Sequence, residues 1–240
     1  MRPVDRGASP RATDFDDHRH AFGDLSARLG PFCSYCERRI PTMLAVEHVQ
    51  PRSLPPYAAL AGRWDNFLLA CVNCNSTKKA KDVLFDRTFL PDRDNTFVAF
   101  EYAKDGLVSP KASLSPAELQ IAKDTLALTG LDKPLDADLD ANGEIVATDR
   151  VAQRMKKWRI ALDSHADLCA TPTDRMRNQI VRTAVESGFF SIWMKVFDGC
   201  PVMRDRLIKA FPGTAADCFD VNTQPVTPRA QNGLAHSGKI

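Results

Sequence analysis

Cys33-Ser34-Tyr35-Cys36 opens, and Cys71-Val72-Asn73-Cys74 closes, the stretch that decides the fold; residues 37–70 between them read ERRIPTMLAVEHVQPRSLPPYAALAGRWDNFLLA. A Cys-x-x-Cys pair sets two thiolates along one edge of a tetrahedron. A second pair completes it, so the four sulfurs suit a structural zinc with no position left open for water. The gap exceeds the roughly 15–20 residues of a simple zinc ribbon, so a unit of its own is inserted between the two knuckles. Leu44 to Val49 has the pattern of a short strand, and Gln50-Pro51-Arg52-Ser53 ends it. A proline-rich loop leads to a second apolar run, Asn66 to Ala70. From Cys71 onward, CVNCNSTKKAKD opens a helix. The expected unit is strand, loop, strand, helix.

Working outward, the composition limits the remainder. At 44% apolar and 26% charged over 240 residues, the chain is neither collagenous nor disordered throughout. No apolar run approaches the roughly 20 residues of a membrane span. The opening MRPVDRGASPRATDFDDHRH lacks the apolar segment of a secretory signal, so a cytoplasmic protein is expected. An odd count of seven cysteines argues against a disulfide framework, and Cys169, Cys200 and Cys218, without partner spacing, read as small core residues. Net charge is only +2, but it is unevenly spread: residues 31–81 carry +4, residues 82–149 carry −8 and residues 150–210 carry +6. Two basic segments flanking an acidic one permit a nucleic-acid surface, though solvated helix faces give the same pattern.

Cys33, Cys36, Glu47-His48, Pro51, Ser53, Trp64, Asn66, Cys71, Cys74, Asn75 and Lys78 together give the segment its character. It resembles an HNH endonuclease of the ββα-metal type, in the subclass whose finger is stapled by four cysteines. The nine-residue step from Asn66 to Asn75, and Lys78 three residues further on, are also similar to the HNH domain of RNA-guided DNA nucleases. The third letter of the family name falls on Asn75 rather than on a histidine. The resemblance implies His48 as general base, Glu47 and Asn75 on a catalytic divalent ion, and Asn66 as a loop-positioning residue.

The residues themselves suit that chemistry. Phosphodiester hydrolysis needs a deprotonated water, neutralised phosphate charge and a stabilised leaving oxygen, and a divalent ion serves the last two. Mg²⁺ or Mn²⁺ takes hard oxygen ligands and keeps several waters, so the Glu47 carboxylate and the Asn75 amide oxygen suffice. A largely neutral imidazole at His48 suits the proton-abstracting role. Lys78 and Arg52 are phosphate-contact candidates, with Arg38, Arg39 and Arg63 at the border. Plainer readings stand beside these: Asn75 as a helix N-cap, the lysines as a solvated face, Trp64 as core. One geometric difficulty is evident, since neighbouring residues in a strand face opposite ways. Glu47 and His48 meet one ion only if the strand end is strongly twisted, or if Glu47 acts from behind the ligands.

The expected fold class is α+β: a ββα-metal (HNH) zinc-stapled finger embedded in a mainly helical accessory region. The divisions are residues 1–30 (arm and a helix over 14–29), 31–90 (nuclease), 91–220 (helical, with a hairpin from Asn95 to Val108) and 221–240 (flexible tail). Ser115-Pro116-Ala117-Glu118 is a capping box, and Gly130 closes the helix it starts. Helices are also expected over 148–168, 174–197 and 201–210. The phrase Leu128-Thr129-Gly130-Leu131-Asp132, following the finger, resembles the HNH subunits of Septu and retron-type anti-phage defence systems, which implies an ATPase partner. The expected function is Mg²⁺- or Mn²⁺-dependent endonucleolytic hydrolysis of phosphodiester bonds in DNA, double-stranded DNA foremost, in anti-phage defence and with no membrane association. The alternatives are a non-catalytic zinc-stapled nucleic-acid-binding module and an ATPase-docking subunit.

Overall fold

The computed structural model describes residues 1–133, 138–139, 145–147 and 150–240. A single turn of 3-10 helix, His18–Ala21, runs into α1, Phe22–Leu29, which stops at Gly30. The finger follows: β1, Ala45–His48, pairs antiparallel with β2, Phe67–Ala70, in the register Ala45↔Ala70 to His48↔Phe67. The chain leaves β2 directly into α2, Val72–Lys78, with Cys71 in an extended conformation at the helix N-cap. The ββα order expected from the cysteine-bounded segment is the order seen.

The remaining elements in chain order are a helical turn α3, Thr96–Ala99; a hairpin of β3, Phe100–Tyr102, and β4, Val108–Pro110; and α4, Pro116–Thr129. A two-stranded pair, β5 Asp138–Leu139 with β6 Ile145–Ala147, precedes α5, Arg150–Ala170. Helices α6, Asp174–Ser187, α7, Phe190–Val196, and α8, Pro201–Ala210, complete it. The α4 capping box is present as expected, and Gly130 takes the left-handed conformation that ends the helix. Helix α5 packs on α6 and α7, and α6 on α8. Positions 148 and 149 of the helix expected over 148–168 lie outside the described residues.

The helix expected over 14–29 begins only at the 3-10 turn from His18, and the hairpin expected from Asn95 begins at Phe100, because Thr96–Ala99 coil into α3. Three further expectations are corrected. The periodicity over 174–197 reads as one helix, but the chain turns at Gly188 and Phe189, both at positive φ. A side chain at Gly188 would stand 2.6 Å from the Arg39 backbone nitrogen, so only glycine lets this turn abut the first knuckle. There, the Phe189 N–H donates to the Glu37 carbonyl at 2.8 Å. Second, Cys169 is exposed and Cys200 half-buried; only Cys218 of the three lies in the core. Third, residues 221–240 are not a frayed tail. Asn95 donates to the Val226 carbonyl, Asn232 to the Asp92 carbonyl, and the buried Arg229 pairs with Asp217 at 3.0 Å. Asn232 and Ser237 supply hydrogen bonds along a strap rather than solubility for a free end.

The arm fixes the finger to the helices. Arg2 donates to the carbonyls of Pro212 (2.7 Å) and Leu29 (3.0 Å). Arg6, equally buried, donates to the carbonyls of Phe67 and Asp65 and pairs with Asp92 at 2.7 Å. Buried guanidinium groups are retained where each N–H finds an acceptor, and these two find theirs on both parts. The apolar stretch from Phe189 to Phe197 is core: Phe190, Ile192, Trp193, Met194 and Phe197 are wholly buried, and the Phe190 ring meets those of Phe97, Phe211 and Phe219.

Candidate active site and zinc knuckles

The Sγ atoms of Cys33, Cys36, Cys71 and Cys74 all lie within 4.8 Å of one another and are buried. A tetrahedral ion with bonds of about 2.3 Å holds its sulfurs about 3.8 Å apart, and Cys36 and Cys71 stand at 3.7 Å. The donor set and spacing fit a structural zinc. Four thiolates around Zn²⁺ leave two negative charges, and two arginines are placed to offset them. Arg38 lies 3.1 Å from the Cys71 sulfur and donates to Asn73 Oδ1 at 2.7 Å. Arg150, from α5, lies 3.5 Å from the Cys74 sulfur and donates to the carbonyls of Thr129 and Gly130. The role of Arg150 is invisible in sequence, since 76 residues separate it from Cys74.

At the other end of the hairpin, the His48 ring lies against Phe67, its cross-strand partner, with centroids 5.3 Å apart and planes nearly perpendicular. Its Nε2 is 3.0 Å from the Ala61 carbonyl. A carbonyl only accepts, so Nε2 carries the proton and Nδ1 keeps a lone pair. Burial lowers the pKa of His48, and the nearby His18, Arg52 and Lys78 lower it further, against the opposing pull of the Ala61 carbonyl. Asn66 is buried. Its Oδ1 accepts from the Gln50 N–H at 2.8 Å, and its Nδ2 donates to the carbonyls of Gln50 (3.0 Å) and Leu60 (3.3 Å). It ties both ends of the loop that carries Ala61.

The HNH endonuclease family model matches residues 33–81, about a fifth of the chain. Those residues are an HNH endonuclease domain. No curated relative matches the chain.

Within the HNH domain, Glu47 faces away from His48, as strand alternation requires. Its carboxylate is buried beneath α2, with Oε2 accepting from Tyr35 Oη at 2.7 Å and Oε1 2.5 Å from Lys78 Nζ. Lys78 also donates to the His48 carbonyl at 2.8 Å. Expected at a phosphate, Lys78 is instead only 1% exposed and spent on this ion pair. The helix register explains it: Lys78 shares a face with Asn75, one turn earlier, and that face is turned to β1. Asn75 is half-buried, and its side chain makes no hydrogen bond to any described residue, so its amide oxygen is left available as a metal ligand. Arg52 is exposed and near enough to both His48 and His18 to lower their pKa values. Lys81 donates to the Ala127 carbonyl of α4, and Trp64 is core, its Nε1 donating to the Gly7 carbonyl.

Sequence reasoning passed over His18. It precedes the HNH domain, yet its ring lies 4.7 Å from that of His48. The only sequence signal was the run Asp16-Asp17-His18-Arg19-His20 ahead of the first knuckle.

Proposed function

We propose that this chain hydrolyses phosphodiester bonds in nucleic acid, with double-stranded DNA as the foremost substrate and His48 as general base. The observation that supports it most is the imidazole whose Nε2 is committed to the Ala61 carbonyl, leaving Nδ1 basic and neutral at physiological pH. Nδ1 takes the proton from the attacking water. Asn66 keeps that geometry by holding the loop at both ends, so Ala61 stays where Nε2 needs an acceptor. Arg52, exposed at the rim, meets a phosphate oxygen.

Asn75 would hold Mg²⁺ or Mn²⁺ with the substrate's own oxygens, and Glu47, which faces the other side of β1 from His48, would reach the ion only on giving up the Lys78 ammonium. Bound there, the ion would neutralise phosphate charge and stabilise the departing oxygen. Until then, Lys78 keeps the buried carboxylate charge-balanced, a role a lysine on the α2 face turned to β1 fills from 2.5 Å. Purified protein with Mg²⁺ or Mn²⁺ should cut or nick plasmid, and His48→Ala should lose that activity while keeping zinc; equal activity in the two proteins overturns the reading.

A nucleic-acid partner is favoured by a second feature. The two basic segments meet, Arg38 and Arg39 of the first knuckle facing Lys156 and Lys157 of α5 across a groove of about 410 Å³. Arg39 pairs with the exposed Glu186, and Lys157 is lowered in pKa by burial and by Lys156. Crowded cations with one acid among them suit a phosphate backbone. A role in anti-phage defence beside an ATPase rests on the resemblance of residues 128–132 alone, and co-purification with neighbouring gene products tests it. No helix among the described residues is long and apolar enough to cross a membrane.

A further inference from the structure

Phe15 and His18 lie ahead of the HNH domain, yet they contact the loop beside the imidazole on which the proposed chemistry depends and the imidazole itself. The His48 ring sits between two others, Phe67 at 5.3 Å and His18 at 4.7 Å. His18 is itself fixed at the start of its 3-10 turn. Asp17 caps that turn, accepting from the Arg19 N–H at 2.9 Å, and its Oδ1 lies 3.3 Å from His18 Nδ1. The third restraint on His48, the Ala61 carbonyl, is held by the same arm. The Phe15 N–H donates to the carbonyl of Gly62, the next residue, at 2.9 Å. A side chain at Gly62 would stand 2.3 Å from the Phe15 carbonyl oxygen, so the loop and the arm touch backbone to backbone. Phe15 is buried against Trp64 and Phe67, with ring centroids 6.0 Å apart in each case. Phe15 and His18, three residues apart, therefore fix the acceptor and the ring it accepts from.

We propose that this arm completes the active site, and that His18 is a positioning residue: its ring packs against His48 and holds the rotamer and tautomer in which Nε2 meets Ala61. The inference rests on the reading of His48 as general base. His18 acts here through packing, so an aromatic ring of similar width replaces it and a small side chain does not. Misplacing a catalytic group by about 1 Å costs on the order of 100-fold in rate.

The test uses the full chain as wild type, His18→Ala and His18→Phe, with zinc content and melting temperature confirming that each folds. Histidine-labelled protein gives imidazole ¹⁵N and ¹³C spectra that report the His48 tautomer without any substrate. His48 should be Nε2-protonated in wild type and in His18→Phe, and should average between tautomers in His18→Ala. In DNA cleavage, His18→Ala should lower kcat about 10- to 100-fold with KM nearly unchanged, and His18→Phe should restore it to within about threefold. An unchanged tautomer in His18→Ala overturns the proposal, as does a His18→Phe variant as impaired as His18→Ala. Should the wild type cut nothing, the nuclease reading falls, while the spectra still decide what His18 does.

Discussion

Replacing Lys78 by Met removes the ammonium from a pair that is almost wholly shielded from water, so Glu47, whose pKa burial already raises, must stay charged beneath α2 with only the Tyr35 hydroxyl for support or take up a proton. At 2.5 Å and an effective dielectric of about 20, the lost attraction is about 6–7 kcal/mol. The several kcal/mol of desolvation that each ion had already cost offsets part of it. Breaking such a pair from one side costs about 3–5 kcal/mol, and the His48 carbonyl loses a donor worth about 1 kcal/mol besides. For a chain of this size, the former corresponds to a fall in Tm of roughly 6–20 °C. The double variant Glu47→Gln/Lys78→Met leaves no orphan charge, so it should recover at least half of the loss. Urea unfolding of the zinc-loaded proteins gives the double-mutant cycle. If Glu47 can take a divalent ion in place of the ammonium, millimolar Mg²⁺ should stabilise Lys78→Met more than wild type. A Lys78→Met protein within about 1 kcal/mol of wild type at pH 8, where taking up a proton is most costly, would refute the ion-pair contribution.

Three further outcomes follow from the geometry. The acid limb of the kcat/KM–pH profile should lie below the usual imidazole value of 6.5, because burial and three nearby basic groups lower the His48 pKa and a base must be neutral to act; a limb above pH 7 contradicts this. Cys33→Ser or Cys71→Ser, or zinc removal by a chelator, should unfold residues 33–81 and expose Trp64 to quenchers, since structural zinc contributes folding energy directly; a zinc-free protein with Trp64 still buried contradicts it. In a His48→Ala background, Lys156→Glu/Lys157→Glu should weaken DNA binding and flatten log Kd against log salt by about 2, roughly 0.9 for each lost phosphate contact; an unchanged slope removes the α5 groove from the binding surface.

The finger was legible because its signals are local and chemical. Two Cys-x-x-Cys pairs fix a zinc geometry, and Pro51 and the proline-rich loop separate two apolar runs that have only each other to pair with. Helix α4 was legible for the same reason, its Ser115–Glu118 box and Gly130 being written within the helix and next to it. Side-chain destinations across the fold were not. Strand alternation warned that Glu47 and His48 face apart, but nothing in the sequence shows that Lys78 crosses from α2 to neutralise Glu47. Arg150 and His18 reach the zinc knuckles and His48 only after accessory segments have packed on the finger. The strap of residues 221–240 misleads for a related reason. Its polar composition signals disorder when read alone, yet those same polar groups answer the buried Asp92, Asp94 and Asn95.

In the proposed mechanism His48 and Asn75 serve one cation distinct from the zinc. The most direct measurement is the paramagnetic broadening of histidine ring resonances when Mn²⁺ is titrated into zinc-loaded protein. The account predicts that His48 broadens selectively, with zinc retained, and that Asn75→Ala abolishes the effect. A His48 signal that Mn²⁺ leaves sharp, or broadens equally in Asn75→Ala, would contradict it.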